Sequence, residues 1–82
     1  MDKRAVDLIR LLLSRLERVS ADSYWAHRAS GVRGALLKTQ QELEDGKTVN
    51  ARIVEHQLEA GFEVLERAGR EKIGRSGSRQ TR

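Results

Sequence analysis

With 82 residues, a net charge of +4 and no cysteine, the chain has room for one small domain. A domain of this size buries about 60% of the surface its unfolded chain exposes; disulfides and cysteine-ligated metals are excluded, and no apolar run reaches the ~18 residues that span a bilayer. The opening MDKRAVDLIRLLLSRLERV interrupts its apolar residues with charge and has no small-residue cleavage site after it, so a cytoplasmic location is expected.

The basic balance, with an isoelectric point near 10.1, raises the question of nucleic acid. Its distribution weakens that idea. Residues 74–82, GRSGSRQTR, contain Arg75, Arg79 and Arg82 and no acid, which leaves 13 basic and 12 acidic residues in 1–73. Residues 1–73 therefore read as a nearly neutral helical domain and 74–82 as a disordered basic Gly/Ser/Arg tail. Weak, salt-sensitive phosphate contacts from Arg75, Arg79 and Arg82 are the alternative functional reading.

The first helix is expected over residues 2–19. Ala5, Leu8, Ile9, Leu12, Leu13, Leu16 and Val19 fall on one arc at helical spacing, while Leu11 points into the polar side. In the following VSADS, Ser20 or Asp22 can cap a second helix over 23–45. EDGKT then places Gly46 just past that helix and Thr48 or Asn50 as the cap of a third, over 49–72. With connections this short, consecutive helices should lie antiparallel, giving an all-α, antiparallel three-helix bundle.

The second helix contains YWAHRASGVRGALL, whose two glycines should weaken a helix by about 1 kcal/mol each. Trp25, Ala29, Val32, Leu36 and Leu43 form a core stripe, and Ala26, Ser30, Gly34 and Leu37 a second strip of mostly small residues. A helix with two packing faces fits this pattern, with Gly34 allowing a close neighbour. A break at Ser30–Gly31, or an anion-binding loop around Arg28 and Arg33, are the competing readings. The third helix repeats the duality. Ala51, Val54, Leu58, Phe62 and Leu65 form its main stripe, extended by Gly61, Ala68 and Gly69, and Val49, Ile53, Ala60 and Val64 a second one.

Leu11, the Ala26/Ser30/Gly34/Leu37 strip and the Ile53/Ala60/Val64 strip together exceed what a three-helix monomer buries. Surplus apolar surface marks a partner site, and a second copy is the simplest partner. The interface residues expected on this basis are Leu11, Ala26, Ser30, Gly34, Leu37, Ile53, Ala60 and Val64. Chemistry finds little support. The Glu-x-x-His motif of di-iron bundles is absent, because Ile53 precedes His56 by three and Tyr24 precedes His27 by three. No G-x-S-x-G occurs, and no metal or cofactor is expected. Glu55, Glu59, Glu63 and Glu66 make an acidic ridge in which Glu63–Arg67 and Glu66–Arg70 have favourable pair spacing. The sequence thus points to a non-enzymatic helical interaction or oligomerisation module, binding itself or another helical protein.

Overall fold

The structure, a computed structural model, describes the backbone of residues 3–80 and the side chains of residues 3–71. Three α-helices follow in order, α1 (Lys3–Leu16), α2 (Ala26–Glu44) and α3 (Ala51–Gln80), and no strand occurs among the described residues. Each helix packs against the other two.

The chain between α1 and α2 explains why α2 begins at Ala26 rather than at residue 23. Ser20 Oγ accepts the Asp22 N–H at 3.2 Å, and Ser23 Oγ accepts the Trp25 N–H at 3.0 Å. The same two serines accept through their carbonyls from Ser23 and Ala26. Two successive serine-based turns therefore occupy the backbone groups that an earlier helix start would need. Before them α1 tightens and ends, with the N–H groups of Arg18 and Val19 reaching back three residues.

The α2–α3 connection follows its sequence signals. Gly46 has φ of +76°, its N–H bonds the Leu43 carbonyl at 3.1 Å, and the Lys47 N–H bonds the Glu42 carbonyl at 2.9 Å. This is the left-handed helix termination that favours glycine. Asn50 then caps α3, its Oδ1 accepting the Arg52 N–H at 2.8 Å. The expected end near residue 72 is not found, since the backbone of α3 continues to Gln80. No proline follows to force a stop, and the two glycines beyond residue 72, Gly74 and Gly77, cost a helix only about 1 kcal/mol each. The region expected as a disordered tail begins within these residues, and its side chains lie outside the described ones.

The core comprises Ile9, Leu12, Leu13 and Leu16 of α1, Ala29 and Leu36 of α2, and Val54 and Val64 of α3. Val19, Trp25, Val32, Leu43, Val49, Leu58 and Leu65 pack around it. The α1 arc and the Trp25–Leu43 stripe are thus the buried faces, and Gly31 and Gly34 lie within one unbroken helix. On α3 the assignment of two residues is reversed. Val64 is 0% exposed, whereas Phe62 of the main stripe is 46% exposed. A helix that touches two neighbours buries an arc centred between its two apolar strips, which takes in Val64 and leaves Phe62 at the edge.

Among the described glycines the tightest fit is at Gly61, to which the sequence reading assigned no such role. A Cβ built on Gly61 would stand 3.0 Å from Leu12 Cδ1 and 3.3 Å from Cδ2, with Leu12 itself 0% exposed. At Gly31 and Gly34, by contrast, nothing lies within 4 Å of such a Cβ. Gly61→Ala gains roughly 1 kcal/mol of helix propensity against an overpacking cost of about 1–3 kcal/mol. The variant should therefore be neutral to about 2 kcal/mol less stable in urea unfolding. Gly34→Ala meets open space and should be about 0.5–1 kcal/mol more stable in the same assay.

Candidate interaction surface

The eight residues expected at an interface do not share one face. Leu11, 44% exposed, lies in the groove between α1 and α3. Ala60 borders a shallow depression between α2 and α3 with Gly31, Val32, Ala35, His56 and Gln57. Leu37 and Ile53 are exposed apolar residues that line neither hollow, and Ser30 and Gly34 are likewise exposed. Ala26 is half-buried, and Val64 belongs to the core. The possible nucleic-acid contacts cannot be placed alongside them: the side chains of Arg75 and Arg79, and all of Arg82, lie outside the described residues.

The larger hollow is the open α1–α3 groove, about 1070 Å³ in volume. Leu11 and Phe62 are the sequence neighbours of Leu12 and Gly61, so the close contact of that pair brings α1 and α3 together where the groove has these apolar residues. Leu65, Ala68 and Val19 continue its apolar lining. Charge is divided between its walls. Arg15 comes from α1 and Arg18 from the turn that follows it, and Glu66 and Glu71 come from α3. Phe62 is the groove residue missed by the sequence reading. The signal available was its position at the edge of the α3 stripe, which a wheel alone cannot resolve.

At one end of this groove, α3 holds the serine-turn segment in place. The Glu71 carboxylate accepts the Tyr24 N–H, with distances of 3.1 and 3.3 Å to its two oxygens. The Arg67 guanidinium stands over the Trp25 ring, 5.5 Å from its centroid. Arg67 is therefore directed toward Trp25, and the partner of Glu63 is Arg28 on α2, at 3.9 Å. Of the two pairs expected within the acidic ridge, Glu66–Arg70 forms, at 3.3 Å. Both of these pairs are exposed and contribute at most about 1 kcal/mol each.

Two further polar contacts tie the helices together. Thr39, 2% exposed, donates its hydroxyl to Gln57 Oε1 at 2.7 Å, joining α2 to α3. Arg33 reaches Glu17 at 3.1 Å, joining α2 to the end of α1. His27 and His56 are both exposed, and no group of three or more His, Cys, Asp or Glu among the described residues could hold a metal ion. Nor is any helix, among the described residues, long and apolar enough to cross a membrane.

The chain matches no protein-family model, no curated protein and no solved structure. Its functional reading therefore rests on its own geometry.

Trp25 is the only tryptophan in the chain, so its fluorescence reports on the Arg67 contact without interference. Arg67→Ala should increase acrylamide quenching of Trp25 and destabilise the protein by about 0.5–1 kcal/mol. Arg70→Ala, which alters a neighbouring exposed pair, should leave the quenching unchanged.

Proposed function

We propose that this chain is a non-enzymatic helical interaction module whose three helices form an antiparallel bundle and whose principal partner is a second copy of itself. The contacts of α2 with α3 support the antiparallel arrangement. Arg28 pairs with Glu63 and Thr39 with Gln57, so residues later in α2 meet residues earlier in α3.

The observation that carries the interaction reading is the apolar surface left over after the core is complete. Leu11, Leu37, Ile53 and Phe62 remain at least 40% exposed, although Leu12, Leu36 and Val54, the neighbours of the first three, and Val64, two residues from Phe62, are fully or nearly fully buried. Isolated exposed apolar residues are ordinary on a monomer. Leu11 and Phe62 are not isolated, because they share a groove with further apolar lining. Contiguous apolar surface bordered by polar residues is the usual form of a protein-binding site. A small domain also gains stability from a partner, since its own core is limited by its size.

Self-association has two direct signatures. Sedimentation equilibrium of the full chain should give about twice its 9.3 kDa mass at micromolar concentration. The melting temperature should also rise with protein concentration, because dimerisation stabilises the folded state by mass action. A single-chain mass with a concentration-independent melt would contradict the reading.

A further inference from the structure

We propose that the α1–α3 groove is the self-association surface, and that its occupant is the same groove of a second copy. This proposal rests on the self-association reading and adds the surface and the register. The two-fold axis runs along the groove, so that α1 of each copy lies over α3 of the other.

The charge on the two walls selects this arrangement. Arg15 of α1 and Arg18 of the turn that ends it stand on one wall, and neither has an ion-pair partner among the described residues. The α3 wall carries Glu66 and Glu71. A partner of a single sign would be attracted by one wall and repelled by the other. A copy rotated about an axis along the groove presents its acidic wall to the basic one and its basic wall to the acidic one. Both contacts are then favourable, and they occur twice by symmetry.

The carboxylates differ in availability. Glu71 is already bonded to the Tyr24 N–H, which leaves Glu66 as the principal acceptor for the second copy's arginines. Glu66 meets Arg70 within its own helix, but both side chains are well exposed, at 64% and 75%. Exposed pairs of this kind are weak enough to re-form with a new partner.

The apolar residues fit the same register. Leu11 and Phe62 lie on opposite walls and are 44% and 46% exposed. Rotation about the groove axis puts Phe62 of each copy against Leu11 of the other, so the aromatic ring is buried at one end of the groove, and the charged contacts follow further along both walls. A buried aromatic side chain is the kind of anchor that concentrates binding energy in an interface.

A charge-exchange experiment on the full chain tests this register, with molar mass read by sedimentation equilibrium and folding by circular dichroism. One variant combines Arg15→Glu with Arg18→Glu, making both walls acidic. The other is Glu66→Arg, which turns the α3 wall toward positive charge. All three positions are exposed, so folding should be retained. Each variant alone should be monomeric, whereas an equimolar mixture should form a heterodimer, because the changed positions 15 and 18 of one chain then meet the changed position 66 of the other while Arg15 and Arg18 of the second meet Glu66 of the first. Phe62→Ser should raise the dimer dissociation constant by about 30-fold or more, and Leu37→Ser and Ile53→Ser should leave it unchanged.

A monomeric wild-type chain would overturn the self-association reading and this proposal with it. A wild-type dimer that survives Phe62→Ser and both charge variants would leave that reading standing and overturn the groove as its surface. Charge variants that dissociate alone but fail to combine would overturn the α1-over-α3 register. A folded Leu37→Ser or Ile53→Ser variant that dissociates would place the interface on another face.

Discussion

The contact of Leu12 with Gly61 is the constraint on which the rest of the structure depends. A glycine in the body of a helix weakens it by about 1 kcal/mol relative to alanine. At residue 61 that loss leaves a hollow that receives a fully buried leucine, 3.0 Å from where a Cβ would stand. Close approach of α1 and α3 follows from it. So does the position of Leu11 and Phe62, one residue to the side on each helix and therefore in the groove. The same contact thus completes the core and shapes the surface outside it.

Polar contacts then fix how the helices meet. The core alone is compatible with small shifts of one helix along another, because apolar contacts are not directional. Thr39 and Gln57 add a directional bond at a buried position, and Arg33 and Glu17 tie α2 to the end of α1. The serine turns between α1 and α2 are held by α3 itself, through Glu71 on the Tyr24 N–H and Arg67 over Trp25. The α1–α2 connection is therefore specified by residues distant in sequence as well as by its own serines. Its position at one end of the groove links the stability of the turn to the shape of the surface.

Much of this architecture was legible in the sequence because its signals are local. The glycine after α2 and the asparagine before α3 act through neighbouring backbone groups, the α1 periodicity marks a single face to be buried, and the structure uses all three. The start of α2 was less legible because Ser20 and Ser23 can each serve either a helix cap or a turn, and only tertiary contacts to α3 decide between them. The two strips of α3 were ambiguous for a different reason. Periodicity shows that both are apolar, but which is buried depends on where α1 and α2 sit, and that placed Val64 inside and Phe62 at the groove edge. Glycine spacing had the same weakness. Gly34 and Gly61 look alike in sequence, yet one faces open space and the other a leucine.

The most direct test of the central contact is a double-mutant cycle between Leu12 and Gly61, measured by urea unfolding. Leu12→Val shortens the side chain that fills the hollow, and Gly61→Ala partly fills the hollow from the other side. If the two meet as described, Gly61→Ala should be more favourable in the Leu12→Val background than in the wild type, with a coupling of about 1 kcal/mol. Strictly additive effects would show that the two residues do not share that space, and would contradict the arrangement from which both the core and the groove are derived.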